Sequence, residues 1–218
     1  MRFFPPLLTL LGLAVATTKI MPLGDSITGG PGCWRALLWN QLQSAGYNTL
    51  DFVGTLPAQG CGIPHDGDNE GHSGYLVTNI ANQNLLPGWL AATDPDVVLM
   101  HFGTNDVWNG IASEVILDAY STLLRQMREQ NNGVKLLVAQ ILPMEPSGCG
   151  ECAERVRRLN AEIPAWAERE SRAGSEVYVV DQWTGFDLAI DAYDGVHPNE
   201  NGNVKIADRW FEGLMYVL

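Results

Sequence analysis

Asp96-Val97-Val98-Leu99-Met100-His101-Phe102 runs directly into Gly103-Thr104-Asn105-Asp106. An apolar run without polar alternation is the form taken by a strand buried on both faces, as in a parallel sheet covered by helices. The Gly/Asn/Asp word behind it reads as a sharp turn at the strand's carboxyl end. Such a strand needs parallel neighbours joined by crossover helices, and both flanks supply them.

Toward the N-terminus, Lys19-Ile20-Met21-Pro22-Leu23 reads as a first strand, with Pro22 arguing against a place deep in a hydrogen-bonded ladder. Residues 33–45 read as a helix that Gly46 ends, and 50–53 as a short strand. Toward the C-terminus, the spacing predicts a helix near 113–130 with Val115, Leu117, Leu123, Leu124 and Met127 on one face. A strand at 134–142, a helix at 152–172, a strand at 176–180 and a last helix at about 201–215 follow. Residues 54–74 have no period and read as a long functional loop or Ω-like excursion. Five strands separated by helices, without repeat or linker, predict one α/β domain over 17–218. Its form is a three-layer α/β/α sandwich around a five-stranded parallel sheet.

Hydrophobic residues make up 46% of the 218 and charged ones 17%, a globular composition. The net charge of -12 argues against nucleic acid or an anionic membrane as partner, since both are bound by clustered Lys and Arg. Residues 1–16 read as a secretory signal, with Arg2, an apolar run from Leu7 to Leu13 and Ala14-Val15-Ala16 as cleavage site. Secretion to the extracellular space is therefore expected. Cys33, Cys61, Cys149 and Cys152 suit that oxidising compartment. Four cysteines allow three pairings; Cys33 with Cys61 and Cys149 with Cys152 is favoured, because the second pair sits in a Gly-rich loop that can close a small ring.

Ligands of such sheets bind outside the carboxyl ends of the strands. Gly24-Asp25-Ser26-Ile27-Thr28 follows the first strand, so Ser26 is either a helix cap or a presented hydroxyl. Asn105, in the turn after the central strand, could offer its amide to an oxyanion. Asp194-Gly195-Val196-His197-Pro198-Asn199 has an acid three residues before a histidine, spaced to orient the imidazole. Together these supply a nucleophile, a base with its orienter and an oxyanion donor, the inventory for acyl transfer.

The chain resembles the SGNH (GDSL-type) hydrolase superfamily, with its flavodoxin-like fold. Gly24-Asp25-Ser26, Gly71-His72-Ser73-Gly74, Gly103-Thr104-Asn105-Asp106 and Asp194-Gly195-Val196-His197 match its four blocks in order. The resemblance implies Ser26 as nucleophile, His197 as general base and Asp194 as the group orienting it. The implied oxyanion hole is formed by the amides of Ser26 and Gly74, with Gly71 as rival, and the Asn105 side chain. Gly-His-Ser-Gly-Tyr and Asp-Gly-Val-His-Pro-Asn are similar to carbohydrate esterase family 3, which implies deacetylation of xylan or related acetylated sugars by a serine carboxylic-ester hydrolase.

Trp34, Tyr75, Trp108, Trp183 and Tyr193 lie near these words and could stack on a sugar, half of them being expected to fill the core edge instead; Asp25 is a further substrate-binding candidate. Trp39, Trp89, Trp166 and Trp210 read as packing residues. The acidic run Asp66-Gly67-Asp68-Asn69-Glu70 reads as a solvated loop or an irregular calcium site, and its spacing is not an EF-hand. No catalytic metal and no cofactor are expected, because His65, His72 and His101 have no metal-ligand spacing. A monomer without membrane attachment, acting on an acetylated polysaccharide or oligosaccharide, is the expected form. The alternatives are a lipolytic esterase or thioesterase of the same superfamily, and an inactive carbohydrate-binding protein.

Overall fold

Every strand pairing in the sheet is parallel, as crossover helices between strands require. The structure, a computed structural model, describes residues 17–58 and 60–218; the expected leader over 1–16 lies outside the described residues. In chain order the elements are β1 (Thr18–Gly24), α1 (Ser26–Gly29), α2 (Trp34–Ser44), β2 (Leu50–Phe52), β3 (Glu70–Gly71), α3 (Val77–Gln83), α4 (Leu86–Thr93) and β4 (Val97–His101). They continue as α5 (Thr104–Trp108), α6 (Ser113–Gln130), β5 (Lys135–Gln140), α7 (Cys152–Glu170), β6 (Val177–Asp181), α8 (Leu188–Asp191) and α9 (Glu200–Leu214).

The strands lie in the order β2-β1-β4-β5-β6, and β3 pairs with the end of β1. Among the described residues six strands thus replace the expected five, the additional one arising inside the stretch read as loop. With β3 set aside the order is that of flavodoxin-like sheets, whose switch point lies between β1 and its neighbour β4. Ser26 and Asn105 follow those two strands.

Pro22 sits in an interior strand, contrary to the caution it raises. Ile20 O accepts from Val53 N, and residues two apart in a strand face the same side, so the missing N–H of Pro22 faces the β2/β3 edge. There β2 has ended opposite Ile20 and β3 has not begun until Leu23, so no ladder bond is lost.

Alternation along the strands builds two cores. Met21, Leu23, Val98, Met100, Leu136 and Val138 face α3, α4, α6 and α7. Ile20, Val97, Leu99, Leu137 and Ala139 face α2 and α9, where Trp34 and Trp210 pack with centroids 6.0 Å apart. Of the residues expected on the apolar face of α6, Leu117, Leu123, Leu124 and Met127 are buried, but Val115 is 48% exposed. It lies one residue, about 100° around the helix, from Ile116, which with Tyr120 completes the buried stripe.

The stretch from 54 to 74 is ordered by long-range ties rather than by period. Leu56 and Asn69 form an antiparallel bridge, and Cys33–Cys61 and Cys149–Cys152 are both disulfide-bonded, as favoured. Arg35, fully buried, donates to Thr28 O, Gly29 O and Gly67 O at 2.9, 3.2 and 2.6 Å. One guanidinium thus clamps this stretch to the end of α1. Asn69 and Glu70 are fully buried, which corrects the reading of the acidic run as a solvated loop.

Candidate active site

Register brings the candidate words together. Gly24 at the end of β1 pairs with Gly71 of β3 on one side and His101 of β4 on the other. The segments leading to Ser26, Gly74 and Asn105 therefore leave the sheet side by side. Gly71 is packed so closely that a Cβ there would meet Gly29 N at 2.2 Å, which lets α1 press directly on β3.

Ser26 is the first residue of α1, capped by Asp25, whose Oδ1 accepts from Ile27 N at 3.0 Å. Its Oγ lies 2.9 Å from His197 Nε2, and His197 Nδ1 lies 2.7 Å from Asp194 Oδ2. A carboxylate only accepts, so Nδ1 carries the proton and Nε2 is left to accept from the serine hydroxyl. Asp194 Oδ1 also accepts from the amides of Val196 and His197 at 3.0 and 2.7 Å. Desolvation alone would raise the Asp194 pKa, but those amides and the imidazole outweigh it and hold the group below its ordinary range. The loop is anchored by Glu145 N donating to Gly195 O at 2.8 Å and Tyr193 N to His197 O at 3.1 Å.

On the other side of Ser26, Asn105 Nδ2 donates to Tyr75 O at 3.0 Å, tying the turn after β4 to the turn after β3. Asp106, buried, strengthens the tie: its carboxylate accepts from Val77 N, Thr78 N and the Thr78 hydroxyl at 2.9, 3.1 and 2.7 Å, capping α3. Gly71 N–H is already committed to Asn69 Oδ1 at 3.0 Å. Gly74, at φ +80° in an open turn, has no hydrogen-bond partner for its amide among the described residues. Of the two glycines, only Gly74 has an amide left to offer.

Asp25 and Trp34 do not reach substrate. Asp25 is fully buried, and Trp34 is enclosed with its indole N–H donating to Ile27 O at 2.9 Å. Tyr75, Trp108 and Tyr193 are 43%, 41% and 63% exposed, and Tyr193 stacks on His197 at 5.7 Å. Trp183 lies apart from them in a groove of about 1010 Å³ over the carboxyl ends of β5 and β6, with Glu145 on its wall. A recess of about 10 Å³ beside Ser26 is lined by Gly30, Pro31, Tyr193 and His197. It has room for a group on the scale of one water molecule. The acidic run turns to separate partners, Asp66 to Phe52 N and Glu70 to Thr55 and His72. Among the described residues no group of three or more His, Cys, Asp or Glu converges.

Burial raises Asp25 from 3.8 to about 6, against the opposing pull of the Ile27 amide, the Thr104 hydroxyl and His197; Asp106 adds to the rise. Between those values the folded chain holds a proton that the unfolded chain has lost, so stability falls as pH rises through about 4 to 6. The ionised group costs on the order of 3 kcal/mol at neutral pH. Asn caps as well as Asp, so Asp25→Asn should raise the thermal midpoint at pH 7.5 and leave it unchanged at pH 4. A lower midpoint at pH 7.5 would mean that the buried charge is stabilising.

The sequence matches the GDSL-like Lipase/Acylhydrolase family over residues 23–205. The chain belongs to this family. The GDSL-like domain resembles a crystallised acetyl esterase mutant holding an acetate ion, at 35% identity and TM-score 0.84, over 92% of this chain and 98% of that one. A carbohydrate esterase family 3 protein from Talaromyces cellulolyticus matches with the same identity, score and coverage. A multidomain esterase of Ruminococcus flavefaciens is 31% identical over 94% of this chain, which spans 29% of that relative's length. The helix-flanked parallel sheet is thus the SGNH hydrolase fold.

Sequence reasoning missed Asp106, Glu70 and Trp89 as supports of this domain's site. Trp89, read as helix packing, stacks on His72 with centroids 4.2 Å apart. Glu70 had a signal: it precedes His72 by two, the spacing at which strand side chains share a face.

Proposed function

We propose that this domain is a secreted serine carboxylic-ester hydrolase that removes O-acetyl groups from xylan or related acetylated carbohydrates. The observation that carries the reading is the hydrogen-bonded chain from Ser26 Oγ through His197 to Asp194, at 2.9 and 2.7 Å. His197 Nε2 takes the hydroxyl proton as Ser26 Oγ attacks the ester carbonyl, and Asp194 stabilises the imidazolium that forms. The amides of Ser26 and Gly74 and the Asn105 side chain hold the developing oxyanion. His197 then gives its proton to the leaving sugar oxygen. Water, deprotonated in turn by His197, attacks the acetyl-enzyme; the acetyl–Oγ bond breaks as His197 returns that proton to Ser26 Oγ, and acetate leaves.

Similarity to an acetyl esterase and to a family 3 carbohydrate esterase supports the substrate class. The recess beside Ser26, on the scale of one water molecule, supports a short rather than a long acyl group. A lipolytic enzyme would want a mobile apolar lid, whereas the stretch over the site's edge is polar and tied down by Cys33–Cys61 and Arg35. Two disulfides support secretion. Exposed Tyr75, Trp108 and Tyr193 are the proposed sugar contacts.

Forcing extra methylenes against a formed wall costs about 1–3 kcal/mol, so kcat/KM for p-nitrophenyl acetate should exceed that for the octanoate by about 10- to 100-fold. Octanoate preferred would move the protein to the lipolytic reading, and turnover of neither would favour a binding protein. Asn105→Ala should lower kcat about 100-fold or more. A loss of only twofold would remove Asn105 from the oxyanion hole.

A further inference from the structure

Glu70 holds a buried carboxylate that the hydrolytic steps do not use. It accepts from Thr55 N and the Thr55 hydroxyl, both at 2.8 Å, and its Oε1 lies 2.6 Å from His72 Nε2. A carboxylate withdrawn from water needs hydrogen-bond partners, and these three contacts supply them. With Nε2–H directed at Glu70, the imidazole is fixed in its own plane.

Stacking fixes it on both faces. Trp89 lies at 4.2 Å and 15°, Tyr75 at 4.9 Å and 26°. The backbone of the same residue is engaged as well: His72 N donates to Gly24 O at 2.8 Å, and His72 O accepts from Tyr75 N at 3.1 Å. The turn closed by that second bond contains Gly74, and Tyr75 O is the acceptor that orients Asn105 Nδ2 at 3.0 Å. Both oxyanion donors lying outside the serine's own turn therefore depend on one imidazole.

We propose that Glu70 and His72 are positioning residues of the oxyanion hole. Glu70 sets the imidazole, the imidazole sets the turn over residues 72–75, and the turn aims Gly74 N–H and Asn105 Nδ2. The inference rests on reading those two groups as oxyanion donors. Such donors act when held about 2.7–3.1 Å from the place the oxyanion will occupy, so a turn that drifts loses transition-state stabilisation before it loses substrate binding.

The test is kcat and KM for p-nitrophenyl acetate with His72→Ala, His72→Gln, Glu70→Gln, Asn105→Ala and the His72→Ala/Asn105→Ala double variant, each checked for an intact thermal transition. His72→Ala should lower kcat about 10- to 100-fold with KM within about twofold. His72→Gln, whose amide can still reach Glu70, should recover most of that loss. Glu70→Gln should lower kcat in the same direction, and stands in for His72→Ala should that variant fail to fold. In the double variant the loss should fall well short of the product of the single losses, because both changes remove the same donor. Losses that multiply, or a rise in KM at constant kcat, would overturn the positioning role. A large Asn105→Ala effect beside wild-type kcat in His72→Ala and Glu70→Gln would overturn this inference alone. An Asn105→Ala effect of twofold or less would bring down the oxyanion reading beneath it.

Discussion

Ser26→Ala is expected to lower kcat toward p-nitrophenyl acetate by about a million-fold, the scale of losing a nucleophile from a triad. The fold should not notice: Ser26 is half-buried, and its side chain makes one hydrogen bond, to His197. Alanine leaves Asp25 free to cap α1 through Ile27 N, so the change in stability should stay within about 0.5 kcal/mol. Stopped assays together with a thermal scan separate the two effects. A variant that retains a tenth of wild-type activity would show that the nucleophile lies elsewhere.

Asp194→Asn should lower kcat by about ten-thousand-fold while keeping the loop intact. An asparagine Oδ1 can still accept from the amides of Val196 and His197, so the turn survives. The other position becomes an NH2 facing His197 Nδ1, which must then accept. The proton moves to Nε2, and the imidazole can no longer accept the Ser26 hydroxyl. The same geometry fixes the sign of the pH dependence. Asp194 is held below its ordinary range, so it remains a carboxylate as pH falls and does not set the acid limb. A general base works only while it is free to accept a proton, so kcat/KM should rise with pH on the acid side. Measured across the acid range, an Asp194→Asn enzyme near wild-type activity would remove the orienting role.

The strands and the loops behind them were legible because parallel strands buried on both faces are nearly continuous apolar runs, and β4 and β5 have that form. Helices α3 and α4 were not legible. They have seven and eight residues, too few for a period to declare itself, and they end at Asn84 and Asp94 in left-handed conformations rather than at glycines. β3 escaped for the same reason at two residues, its pairing decided by β1 rather than by its own sequence.

In the site, Ser26, Asn105 and the Asp194/His197 pair could be read because they stand in the loops after three different strands, and the structure joins Ser26, His197 and Asp194 by hydrogen bonds. Side-chain direction could not be read. Asp25 and Trp34 look like substrate contacts from their proximity in sequence, yet the turn after β1 sends both inward. Glu70 looks like part of a solvated acidic stretch until Thr55 and His72 close around it.

The most direct measurement is acetate release from acetylated xylan by residues 17–218, with Ser26→Ala as the blank. Steady acetate release that disappears in the variant is the expected result. Absence of acetate from the wild-type protein, or equal release by Ser26→Ala, would contradict it.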